Sequence, residues 1–154
     1  MVQRISLLFR PQLLAQSDLG DGRIDNFLID SSVHLFTGMV VLISLLVAVG
    51  LVGLDAFHNR PLGRLTKIAL PTAQVVLAVQ LLLGIKLLDQ GQGISQLYIH
   101  YVGGMIPLGA FLVGGWFARG DTGRSSRVLA VLLTIGLVSA LMAFFIGRAY
   151  VESL

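Results

Sequence analysis

The 154-residue sequence has no cysteine and few charges, which make up 12% of the chain. Without cysteine there are no disulfides, no c-type heme attachment and no cysteine-ligated iron–sulfur or zinc site. A soluble domain carries about 25% charged residues. With 55% of residues apolar and a mean hydropathy of +0.85, the composition is instead that of a membrane protein, and its length suggests one domain. Acidic groups are the scarcest: there are 8 Asp and Glu, and none falls inside an apolar run. A proton pump or an acid–base hydrolase therefore lacks its machinery. A net charge of +3 in so apolar a chain does not indicate nucleic-acid binding; cations here belong to loops and membrane interfaces. The first residues also lack the basic, apolar, small-residue order of a signal peptide.

What is present is four long apolar runs. Residues 1–29 mix Arg4, Arg10 and Arg23 with Leu7, Leu8, Phe9, Leu13 and Leu14, and Pro11 interrupts them. They read as a segment lying on the membrane surface or against a partner, or as a poorly ordered tail. Asp30, Ser31 and Ser32 are N-cap types, and the first span follows them until Asp55. A basic connection holds His58, Arg60, Pro61, Arg64 and Lys67. The second span is expected from about Ile68 to Leu88, with Pro71 in its first turn. The third is capped by Ser95, runs to about Ala118 and is kinked by Pro107. The fourth runs from about Val128 to Tyr150, after a second basic loop of Arg119, Arg124 and Arg127. The fold expected is an all-α, four-transmembrane-helix up-down bundle over residues 30–150, with a tail at 151–154. The excess of Lys and Arg in the loops after spans one and three places those loops in the cytoplasm. Both termini are then extracytoplasmic, in a bacterial inner membrane.

The bundle reads as two repeated helix pairs. His34-Leu35-Phe36-Thr37-Gly38-Met39 aligns without a gap on His100-Tyr101-Val102-Gly103-Gly104-Met105. Leu42 and Leu46 then fall on Leu108 and Leu112, so the matches step mostly by four and share one helical face. Spans one and three run the same way, so His34 and His100 lie at one depth. As diagonal partners in a square of helices ~8–10 Å apart, their axes stand roughly 12–14 Å apart. That gap is too wide for direct imidazole contact, and suits a flat macrocycle with one imidazole reaching its metal from each side.

Other positions fit around that pair. Gly38 and Gly104, one turn on, would leave room for a porphyrin face, although small residues also serve helix packing in lipid. Lys86 and Arg148 end the second and fourth spans on the histidine side, where they would meet heme propionates or simply snorkel to the interface. Gln80 would donate to a ligand or to a neighbouring helix. His58 has no counterpart and reads as solvated, while Tyr98 and Tyr101 belong to an aromatic belt. Two nitrogen ligands alone do not make a zinc site. Chlorophyll takes one axial ligand, so a pair favours heme.

Gln80-Leu81-Leu82-Leu83-Gly84-Ile85, a short loop and then His100 opening the next helix resemble one four-helix half of heme A synthase. The halves of that enzyme each place a histidine pair at the outer ends of two parallel helices. The resemblance covers roughly residues 30 to 150 and implies that His34 and His100 are the axial ligands of one heme b. This chain has one half where the enzyme has two. It lacks the loop cysteines of some members and the outer-loop glutamate, Asp30 standing four residues before His34. What carries over is the heme-binding frame, which is similar to small membrane b-type cytochromes. The expectation is a bis-histidine cytochrome subunit that relays electrons in a respiratory or photosynthetic complex. A quinone would lie nearby, lipids and other membrane subunits would be its partners, and it would not be an enzyme on its own. The alternatives are a cofactor-free accessory subunit and a heme-modifying half-synthase acting as a dimer.

Overall fold

The computed structural model describes residues 27–92, 98–117 and 123–152. Among these residues the chain forms four helices: α1 (Ser31–Phe57), α2 (Arg64–Asp89), α3 (Tyr98–Phe117) and α4 (Gly123–Glu152). All four are long and apolar enough to cross a membrane. At 1.5 Å per residue, the 27 residues of α1 span about 40 Å, against about 30 Å for a bilayer's hydrocarbon core. Nearly all of the expected surface segment before residue 27, the Ser95 cap, Arg119 and the last two residues lie outside the described residues.

The helices begin where backbone donors find acceptors, and this shifts several expected boundaries. The Asp30 carboxylate accepts from the Ser32 N–H at 2.7 Å and caps α1 as expected. Hydrogen bonds from Ser32, its side chain foremost and then its backbone, hold that carboxyl below its ordinary range. α2 starts at Arg64 rather than Ile68, which puts Pro71 inside the helix and not in its first turn. α4 starts at Gly123, so Arg124 and Arg127 belong to its first turns and not to a loop. α1 continues past Asp55 to Phe57, and Asp55 is buried within it. The expectation that no carboxylate sits inside a span is thereby corrected. A backbone with its own hydrogen bonds runs on helically through charged residues as long as each charge finds water or a partner.

α1 packs on both α2 and α4, α3 packs on α4, and the α2–α3 seam is the thinnest contact. α1 and α3 do not touch through their backbones and are diagonal, as the up-down arrangement requires. Buried positions on α1 are Gly38, Val41, Leu45, Ala48, Val52 and Asp55. On α4 they are Ser126, Leu129, Leu133, Gly136, Ala140 and Ala143. Both stripes alternate steps of three and four, the spacing that keeps one seam facing a partner at a shallow crossing angle. Small residues bring the backbones together, which matters because lipid supplies no hydrophobic drive between helices. A Cβ on Gly136 would lie 3.1 Å from the Cα of buried Pro107, and one on Gly103 would lie 3.2 Å from the Cβ of Ala143. Large apolar side chains such as Phe36, Ile43, Leu82, Leu112, Trp116 and Phe145 point outward.

Candidate ligand site at the histidine end

His34 stands in the first turn and a half of α1 and His100 in the first turn of α3, so both lie at one end of the bundle. Their ring centres are 6.2 Å apart with the planes at 63°. The spacing of the axes alone predicts rings too far apart for direct contact, and the rings stand closer than that because side chains extend a helix to a radius of about 5–6 Å. Two inward-pointing imidazoles therefore close most of the gap.

Each ring rests on a glycine of the next helix in sequence. A Cβ on Gly84 would lie 3.2 Å from His34 Cε1. A Cβ on Gly147 would lie 2.9 Å from His100 Cε1 and 3.1 Å from its Nδ1. The sequence pattern assigns neither glycine a role, although Gly84 falls in the stretch that resembles heme A synthase and each stands just before a candidate cation (Gly84-Ile85-Lys86, Gly147-Arg148).

The polar partners differ between the two rings. His100 Nδ1 lies 2.7 Å from the carbonyl oxygen of Ala143. A carbonyl only accepts, so Nδ1 carries a proton and, in the neutral ring, Nε2 keeps its lone pair. At His34 the organising group is the Gln80 amide. Its oxygen accepts from the Thr37 hydroxyl, and its nitrogen donates to the His34 carbonyl at 3.0 Å. The same nitrogen lies 3.2 Å from His34 Nε2. With the amide orientation fixed by the first two bonds, Nε2 accepts and the proton of the neutral ring sits on Nδ1. That buried Nδ1 has no partner among the described residues. An orphaned buried donor costs about 1–3 kcal/mol.

The remaining candidates distribute as follows. Gly38 is buried, but a Cβ there would meet Gln80 Nε2 and the Phe144 ring, each at 3.3 Å. It makes room for those two side chains rather than for an open face. Its aligned partner Gly104 has nothing within 4 Å of a Cβ. Lys86 is largely buried and pairs with Asp89 at 2.6 Å, while Arg148 is exposed. His58 is exposed and donates from Nδ1 to the Leu54 carbonyl at 2.8 Å, closing the end of α1. Close by, the Gln90 amide bonds both backbone groups of Ile29, at 2.5 and 2.8 Å, and pins the entry to α1 against the end of α2.

Neither a family model, nor a curated protein, nor a solved structure matches this chain. The site's chemistry therefore rests on its own geometry. No group of three or more His, Cys, Asp or Glu that could hold a metal occurs among the described residues; what the site offers is two imidazoles. A metal held by both imidazoles would take one ring nitrogen from each, and ring centres 6.2 Å apart would leave space for that. His100 also has the arrangement usual for a metal-bound imidazole, with its outer nitrogen held by a backbone carbonyl. His34 has the separation but shares its Nε2 with Gln80.

Proposed function

We propose that His34 and His100 are the axial ligands of one heme b, and that the chain is a membrane cytochrome subunit relaying electrons within a larger redox assembly. The observation that carries this reading is the 6.2 Å separation of two inward-facing imidazoles on helices that are not themselves in contact. The bound group would supply one-electron chemistry. With both axial positions filled by histidine, that chemistry is electron transfer rather than oxygen binding. The Ala143 carbonyl sets the tautomer of His100, Gly84 and Gly147 give the rings room, and the Gln80 amide holds His34 Nε2 and would have to yield it to a metal. The thin α2–α3 seam is the side on which a flat group enters with least repacking. Lys86 and Arg148 end their helices at this level, and the electron's other station is a quinone or a metal centre of the assembly. The excess of cations at the opposite end supports a cytoplasmic side for that end in a bacterial membrane, with the heme toward the outer face.

One observation favours a second reading, a cofactor-free accessory subunit. The contacts of Gln80 with His34 and Thr37 form a polar network within the bundle. Optical spectroscopy separates the two. Wild-type protein expressed with ample heme and purified should show a Soret band and a reduced b-type spectrum. His34→Ala and His100→Ala should each lose it, and His58→Ala should keep it. A wild-type preparation without a Soret band ends the heme reading. A chemically altered heme extracted from the sample would point instead to a heme-modifying half-synthase.

A further inference from the structure

The opposite end of the bundle holds a second polar construction, which the histidine pair does not use. Asp55, 1% exposed, accepts from Arg60 Nε at 2.7 Å, from the Gly63 N–H at 2.8 Å and from the Thr66 hydroxyl at 2.5 Å. These bonds fold the α1–α2 connection back on itself and fix the Arg60 stem at a definite place. Ser126 of α4 donates to the Arg60 carbonyl at 2.7 Å and locks the same loop from the other side. Beside the hub lies a groove of about 300 Å³ walled by Leu51, Leu54 and Leu65, with Arg60 and Arg64 among its lining.

The charge around this groove is one-sided. Arg60, Arg64, Lys67, Arg124 and Arg127 gather at this end, and Asp55 is the one carboxylate there among the described residues. Asp55 takes only the Nε of Arg60, whose side chain is 57% exposed. The guanidinium's outer nitrogens therefore remain available. Arg64 and Leu65 begin α2, so their cationic and apolar groups meet at the level where a spanning helix leaves the hydrocarbon. An anion with a hydrocarbon tail matches both walls, whereas a free anion matches only one.

We propose that this groove is a binding site for an anionic phospholipid, with the phosphate on Arg60 and Arg64 and the acyl chain along Leu51, Leu54 and Leu65. The proposal rests on the chain's membrane placement and is independent of the heme. Asp55 acts as a positioning residue for Arg60.

Native mass spectrometry of the full chain, released from mixed phosphatidylglycerol and phosphatidylcholine vesicles, tests it. Wild type should retain one phosphatidylglycerol in preference to phosphatidylcholine. Arg64→Gln should weaken retention about fivefold, as expected for one cation at an anionic surface. Arg127→Gln, at the same end but outside the groove, should leave retention unchanged. Equal losses in the two variants would mean diffuse attraction and overturn the site, as would a wild type that does not distinguish the lipids. Soluble glycerophosphoglycerol displacing the lipid at comparable concentration would overturn the role of the apolar wall. Fractionation of the wild type with membranes is scored first, since a chain that stays in the soluble fraction defeats the membrane placement itself.

Discussion

The two ends of this bundle are both polar, and they are built on opposite principles. At the Asp55 end each carboxylate oxygen is bonded: Oδ1 takes Arg60 and Oδ2 takes Gly63 and Thr66. At the histidine end the donors are less completely matched. His34 Nδ1 is buried with no partner among the described residues, and the His100 ring fits only because Gly147 withholds a side chain, while Gly84 lies close against His34. A satisfied polar cluster in a low-dielectric interior rigidifies a fold, while an incompletely satisfied one is costly and persists where it is used. The Asp55 end is thus a fastening, and the histidine end, on the reading proposed above, is a receptacle.

The largest expected effect breaks the fastening. Asp55→Ala leaves the Gly63 N–H and the Thr66 hydroxyl without their acceptor and releases Arg60, at about 2–4 kcal/mol. Reversible unfolding in detergent, followed by tryptophan fluorescence, should show that loss. On the proposed heme reading, the absorbance per folded molecule should stay constant. A parallel loss of absorbance in the folded fraction would mean that the two ends are not independent.

A smaller effect sharpens the receptacle. At Gly147 an added methyl comes within 2.9 Å of the His100 ring, so the ring must move and its bond to Ala143 stretches. Overpacking of this kind costs about 1–3 kcal/mol. At Gly84 the nearest ring atom is 3.2 Å away. A shift of a few tenths of an ångström suffices there, and the helical preference of Ala over Gly, about 1 kcal/mol, offsets it. If the site holds heme as proposed, Gly147→Ala should therefore reduce its retention clearly, and Gly84→Ala little or not at all. The reverse order in a heme titration would show that the rings are not held as described.

The bundle was legible in the sequence because charges are excluded from long apolar runs, and the paired histidines were legible because the motif occurs twice. Helix ends were misplaced where cations continue the helix, as Arg64 does in α2 and Arg124 in α4. Asp55 looked like the first residue of a loop because its three partners lie five to eleven residues downstream and become donors to it only when the loop folds back. Gly84 and Gly147 carried a faint signal, a glycine just ahead of a terminal cation in each second helix. Their role depends on the rotation of α2 against α1 and of α4 against α3, which no local pattern states. Gly38 and Gly104 show the converse error: they are alike in the alignment, yet one is tightly surrounded and the other open.

Gln80 is where the two readings of the receptacle part most finely. Gln80→Ala removes the amide that joins Thr37 to His34. The Thr37 hydroxyl keeps two backbone acceptors, Val33 at 2.9 Å and His34 at 3.1 Å. Interhelical side-chain hydrogen bonds in membranes are worth about 0.6 kcal/mol on average and up to about 1.7, so the expected loss of stability is small. The same change releases His34 Nε2, the nitrogen a metal would need. If His34 is a ligand, the variant's affinity for heme should be equal to or higher than that of the wild type, by up to about tenfold for one neutral hydrogen bond no longer competing. If His34 is only an interhelical contact, the variant should melt slightly earlier and bind no heme at any concentration. Titration of the two proteins with hemin, read alongside their melting temperatures, distinguishes these outcomes, because the first reading moves affinity upward while stability falls.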